Sequence, residues 1–382
     1  MKYIILILLT INLFSLEDLK LVELAYKSGL KPVAQDFETL LKDLNSSVND
    51  LSKDKIILGK KLFFDKNLSL NKDISCASCH NFNLGGADAK PTAIGHKSQE
   101  NPFHLNTPTV LNTAFSKKFF WDGRSETLEN QAKGPLQAPF EMSITPPLAE
   151  KRISENKAYI NMFKNAFSTQ DITFDKIAEA ISSYEKTLVT RGRYDDFLLG
   201  YFEKLSQNEK DGMELFITKG CVGCHNGIGF GGQAIRKFPL SYHTIWSMKK
   251  PNEIKTLLNK YNNSLESQIQ NSDMKILKEG FSSTSSLSCD ECHKNNTGVA
   301  FPFENIGGFT GSRKHKGYFR VPLLRNVVKT GPYFHNGEIK ELKEAVKMMG
   351  LHQLRIDLSD IEIEKIISFF KSLNGEIVDF TK

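Results

Sequence analysis

Three times in this chain two cysteines stand three positions apart with a histidine directly behind the second. The motifs are Cys76-Ala77-Ser78-Cys79-His80, Cys221-Val222-Gly223-Cys224-His225 and Cys289-Asp290-Glu291-Cys292-His293, and they use all six cysteines of the chain. C-x-x-C-H is the attachment signature of a c-type haem. On one helical turn each thiol can bond one vinyl group of the same porphyrin. The imidazole that follows can turn onto the iron as proximal ligand. C-x-x-C pairs also clip zinc, but zinc does not require a histidine in that place, and here it stands there every time. We therefore expect haem c at the first two motifs, and a third at Cys289 and Cys292 with His293 on its iron. No cysteine is left for a disulfide.

Residues 1–15 carry one early lysine and an apolar run, and Glu17-Asp18 follow. The run is too short to cross a bilayer and reads as a signal peptide over residues 1–16, with a membrane anchor as the alternative. Export suits covalent haem attachment outside the inner membrane, so the mature protein is expected in the periplasm. The formal charge is +6. Lys2 leaves with the signal and haem propionates add negative charge, so the mature protein is at most mildly basic. No basic run suggests nucleic acid.

Few stretches read as strands, and the expected fold is mainly α. Residues 18–52 look helical, then loose around Asn45-Ser46-Ser47. Residues 54–64 read as a helix, followed by a turn and the first motif. The polar stretch 88–106 is a long loop, a kind of segment that is usually functional or disordered. Residues 175–190 form a strongly amphipathic pattern, with Ile177, Ile181, Tyr184 and Leu188 on one face. Residues 208–218 repeat the helix before the second motif, and residues 360–373 close the chain. The order helix, C-x-x-C-H, long loops, amphipathic helix thus occurs twice. It predicts two cytochrome c-like domains, at 17–203 and 204–382, each around one covalently bound haem.

The segments between the motifs closely resemble the bacterial di-haem cytochrome c peroxidases. They are Thr92-Ala93-Ile94-Gly95-His96, Asn106-Thr107-Pro108-Thr109-Val110-Leu111-Asn112, Phe120-Trp121-Asp122-Gly123-Arg124 and Gln131-Ala132-Lys133-Gly134-Pro135. Glu141-Met142, Val321-Pro322-Leu323-Leu324-Arg325-Asn326, Gly331-Pro332-Tyr333-Phe334-His335-Asn336-Gly337 and Ala345-Val346-Lys347-Met348-Met349-Gly350 continue the match. It runs from about residue 20 to the end, apart from an insertion at about 240–300.

The resemblance implies an exported enzyme that reduces hydrogen peroxide with electrons from a small cytochrome or similar donor. It implies a low-potential haem with His80 as proximal ligand and His96 as a distal ligand that swings away on activation. It implies a high-potential, electron-receiving haem ligated by His225 and Met349. Thioether ligation favours ferrous iron and suits an entry site. Glu141 matches the distal acid–base carboxylate, and an apolar pocket would raise its pKa towards the working range. Trp121 matches the tryptophan between the haems. Calcium would be held by Asn106 and by the carbonyls of Thr330 and Pro332, a donor set suited to Ca²⁺. A homodimer is possible.

Two departures stand out. The 96–106 loop is about two residues longer than in well-known members and contains His104, so either His96 or His104 could cap the iron. The insertion carries the third motif. Other readings are an electron-transfer multihaem cytochrome, a di-haem enzyme that oxidises a residue of a partner protein, a zinc protein and a haem sensor.

Overall fold

The computed structural model describes residues 16–238 and 317–380. The apolar segment before residue 16 and the third motif, Cys289, Cys292 and His293, lie outside the described residues. Among the described residues helices dominate, and the strands are four three-residue pieces. None of the described helices is long and apolar enough to cross a membrane.

The helices are α1 (16–27), α2 (Phe37–Leu44), α3 (Lys53–Phe63), α4 (Cys76–Cys79), α5 (Leu128–Gln137), α6 (Pro146–Ser154), α7 (Lys157–Phe167), α8 (Phe174–Glu185), α9 (Arg193–Leu198), α10 (Gln207–Thr218), α11 (Leu342–Met349) and α12 (Asp360–Ser372). The strands are β1 (Thr190–Gly192), β2 (Ile235–Lys237), β3 (Tyr318–Arg320) and β4 (Gly375–Ile377). The helix expected over 18–52 is broken after residue 27, where Gly29 takes a φ of +79° and Pro32 follows.

Local signals place the two helix pairs that matter most. Ser52 caps α3 by accepting from Lys55 N, Asp54 sits in its first turn, and Lys60 and Lys61 sit in its last. Charges so placed complement the helix dipole. Ser359 and Glu362 form a reciprocal capping box at the start of α12, which satisfies N–H groups that the helix itself cannot. The apolar faces then cross: α3 packs on α8, and α10 packs on α12. Each crossing has a glycine at its closest point. A Cβ on Gly59 would lie 1.8 Å from the Ala180 carbonyl oxygen, and one on Gly212 would lie 1.9 Å from that of Lys365. A glycine in a helix interior costs about 1 kcal/mol of propensity. Here it permits backbone contact in both halves.

Two cores result. One gathers Leu58, Leu62, Phe63, Ile177 and Ile181. The other gathers Met213, Phe216, Ile363 and Phe369. Ala25, Leu30, Tyr194 and Phe197 also join the second core, so α1 and α9 pack with the later half of the chain. A fully buried ion pair fixes this arrangement. Arg325 donates from Nη1 and Nη2 to Asp195 at 2.9 and 2.7 Å, while Asp195 Oδ1 accepts from Val33 N.

The halves meet at Thr190. Its hydroxyl accepts from Asn112 Nδ2 at 2.9 Å and from Asn326 Nδ2 at 2.8 Å. Both asparagines take the same left-handed φ of +62°. Each opens a one-turn helix, Thr113–Phe115 or Val327–Lys329. Beside them β1 pairs antiparallel with β4, Thr190 opposite Ile377.

Candidate active site

Both motif histidines are held in the same way. The ring Nδ1 of His80 lies 3.0 Å from the Gly86 carbonyl oxygen, and that of His225 lies 3.1 Å from the Phe230 carbonyl oxygen. Each acceptor is presented by a backbone turn that needs positive φ: Gly85 and Gly86 in the first, Phe230 and Gly231 in the second. A carbonyl partner makes Nδ1 the protonated nitrogen and leaves the Nε2 lone pair free for a metal. Burial lowers the pKa of both rings, that of His225 to about 4, which keeps the imidazoles neutral as ligands must be. The four described thiols are half-buried, and burial raises Cys79 and Cys221 to about 11. Among the described residues no three His, Cys, Asp or Glu side chains form a cage for a bare metal ion.

The first pocket has its own distal wall, built by two loops that bond to each other. The loop after α5 folds back on that helix, with Met142 N on Pro135 O at 3.0 Å and Ile144 N on Leu136 O at 2.8 Å. This puts Glu141 at the tip of a turn braced by the carbonyls of the last helical turn. The 94–100 loop bonds to that tip: His96 N donates to Glu141 O at 2.8 Å. Gly95 is required there, because a Cβ would lie 2.1 Å from the Phe140 carbonyl oxygen. Below the two loops Cys79 Sγ reaches the Ile94 carbonyl oxygen at 3.8 Å. His96 and Glu141 are therefore brought to the same place as the first motif.

Their chemistry suits a haem pocket. His96 is buried, and its Nδ1 has no hydrogen-bond partner. A buried ring nitrogen without a partner is costly in the absence of something to bind. Burial pushes the half-buried Glu141 carboxyl up to about 7, against the pull of Arg124. The Glu141 charge in turn contributes to the raised pKa of Cys79, as expected of a carboxyl facing the same space. His104 is only half-buried and takes part in other interactions.

Trp121 stands between the halves. Its Nε1 donates to the Asn106 carbonyl oxygen at 2.8 Å, which ties it to the end of the His96 loop. Its ring meets His335 edge-on at 6.4 Å. It shares a buried cluster with Phe319 and Met348, against which Met349 packs. Met349 is half-buried at the end of α11, where a π-helical turn, Gly350–Leu354, begins. Of the residues expected to hold calcium, Asn106 lies at this junction. Asn106 N donates to His335 O at 2.7 Å, and the Thr330 methyl lies against Gly85.

Sequence reasoning gives His335, in a segment that resembles the family, only a structural place or one near the second haem. In space it is the counterpart of Trp121: Trp121-Asp122-Gly123 follows Asn112 at the spacing with which His335-Asn336-Gly337 follows Asn326. Phe120 and Phe334, just before them, share a positive φ. Aligning the two halves against each other would have found it.

A twin-core helical fold with two C-x-x-C-H turns and one distal His/Glu wall defines a haem-based redox protein. The family model described as di-haem cytochrome c peroxidase matches residues 53–203. The cytochrome c551 peroxidase of Nitrosomonas europaea is 36% identical over 335 residues, which cover 87% of this chain and 84% of that one. That of Pseudomonas aeruginosa is 37% identical over 331 residues, covering 85% and 80%. A crystal structure of a MauG-like protein associated with microbial copper homeostasis shares the fold, with a TM-score of 0.64 at 23% identity over 85% of this chain and 91% of that one. The chain belongs to the bacterial di-haem cytochrome c peroxidase family.

Proposed function

We propose that this chain reduces peroxide in the His80 pocket and receives its electrons at the His225 pocket. The reaction is H₂O₂ + 2 e⁻ + 2 H⁺ → 2 H₂O, with a small cytochrome or similar protein as donor. Membership of the family makes it an oxidoreductase acting on hydrogen peroxide. The observation that supports the site assignment is the wall beside the first motif: His96 and Glu141 are bonded loop to loop there, whereas Met349 packs on the Trp121 and Phe319 cluster.

The haem, when bound, supplies the iron that passes electrons to peroxide. Cys76, Cys79 and His80 would hold one, and Cys221, Cys224, His225 and Met349 the other. Glu141 takes the proton from one peroxide oxygen and returns it to the departing one, which its pKa of about 7 permits near neutral pH. His96 closes the pocket at rest and must withdraw to admit peroxide. Trp121 positions the junction through which electrons cross.

In this reading the half built on α3 and α8 is the peroxidatic domain and the half built on α10 and α12 the electron-transfer domain, with α1 and α9 joining the second core although they lie within the expected 17–203 bounds. The insertion at about 240–300 adds a third haem on Cys289, Cys292 and His293. Export to the periplasm, a calcium ion at Asn106, Thr330 and Pro332, and a homodimer belong to the same proposal. The test is steady-state peroxide turnover by half-reduced protein with calcium present. Turnover no faster than that of free haem removes the reading.

A further inference from the structure

Arg320 ends β3 and is 5% exposed. Its Nε donates to the Phe120 carbonyl oxygen at 3.1 Å, and its backbone N donates to that of Trp121 at 2.7 Å. Its two terminal nitrogens have no hydrogen-bond acceptor and no carboxylate among the described residues. Arg325, five positions on and also buried, shows what this fold does with such a group when a partner exists: Asp195 fills its fork. Burial alone lowers the Arg320 pKa, to about 10, so it stays charged at neutral pH. A buried charge is costly unless something pairs with it.

The place of this cation is specific. β3 pairs with β2, Ile235 opposite Arg320, on the segment that follows the second motif. Gly232 N donates to Val321 O at 2.8 Å, and the Pro322 backbone faces the His225 ring. Arg320 therefore stands between the Trp121 loop and the His225 pocket. A haem brings two carboxylates of its own, and a guanidinium fork matches a carboxylate bidentately.

We propose that Arg320 binds a propionate of the haem held by Cys221, Cys224 and His225, and through it positions Trp121 and raises that haem's potential. The inference rests on the reading that a haem is attached there. Reduction adds an electron to the iron, which a nearby propionate charge opposes; a paired guanidinium offsets that opposition. The same side chain grips the Phe120 carbonyl, so propionate and tryptophan loop are held by one group.

Spectroscopic redox titration of the holoprotein tests this. In Arg320→Gln the ferrous-to-ferric ratio of the His225 haem at the wild-type midpoint should fall about tenfold, which is 59 mV for one electron. The His80 haem should barely move, and Arg320→Lys, which keeps the charge, should stay within about twofold of wild type. An unchanged midpoint in Arg320→Gln, or equal shifts at both haems, overturns the proposal. Should the variants not fold, a crystal structure of the wild-type holoprotein decides. A guanidinium nitrogen at about 2.7–2.9 Å from a propionate oxygen is expected, and any other partner overturns it. Intact mass separates the two readings. No haem at Cys221 and Cys224 sinks the functional reading as well, whereas haem present without the arginine contact sinks this inference alone.

Discussion

The His80 half and the His225 half stand on one scaffold. In each, a helix with a glycine at its crossing point packs on the last helix of its half, and a turn offers a carbonyl to the motif histidine. In each, an asparagine in the left-handed region ties into Thr190. They differ in the elements that complete each half. The first half spends two mutually bonded loops on His96 and Glu141. The second places a methionine-bearing helix against Trp121 and Phe319. The scaffold therefore sets two C-x-x-C-H turns in like surroundings, and the elements around them make the two halves unlike.

The largest effect expected breaks that difference. Glu141→Gln should lower turnover by about 10²–10⁴-fold while both haems stay attached and reducible, as measured by peroxide kinetics and optical spectra. The pH profile sharpens it. Below about pH 7 Glu141 holds its proton and cannot take another from peroxide. In the wild type kcat/KM should therefore fall as pH drops through that value, and the Gln variant should lack this acid limb. Near-normal turnover would mean that the proton moves by another route.

The shared scaffold is tested next. Gly59→Ala and Gly212→Ala each push a Cβ into a facing carbonyl, and overpacking of this kind costs about 1–3 kcal/mol. The loss should be local. Denaturant unfolding followed at each haem band should show the His80 half weakened by the first change and the His225 half by the second. Equal weakening of both bands by either change would merge the two cores into one cooperative unit.

Met349→His asks whether the second pocket owes its potential to sulfur. Imidazole favours ferric iron more than thioether does. The midpoint of the His225 haem should fall at least tenfold in ferrous-to-ferric ratio, about 59 mV, and selective half-reduction should be lost. A potential that persists would move the ligand elsewhere, with Met348 the next candidate. Smallest are the caps. Ser52→Ala and Ser359→Ala each remove the side-chain acceptor at the start of α3 and α12. Each should cost about 1 kcal/mol, again read at the haem of its own half.

Much of this was legible in the sequence because it is local. The expected helices at 54–64, 175–190, 208–218 and 360–373 correspond to α3, α8, α10 and α12, although the 175–190 pattern ends at Glu185 and turns into β1. Helix α5 carries Gly134 and Pro135, which read as breakers, yet it ends by receiving the Glu141 turn on its free carbonyls. Gly59 and Gly212 look like weak points until the facing helices are seen. Arg320 gave no signal, because nothing in a sequence shows that a buried arginine finds no acceptor for its terminal nitrogens among the described residues. The packing of α1 on the second core is equally non-local, since its apolar face fits either half by pattern alone.

The central claim is that like scaffolds carry unlike pockets. Stepwise reductive titration of the oxidised holoprotein, with peroxide turnover assayed at each step, tests it most directly. The account predicts two well-separated midpoints, the higher belonging to the His225 haem, and turnover that appears with the first electron and is lost in Glu141→Gln. Two haems that titrate together, or full turnover before any reduction, would contradict it.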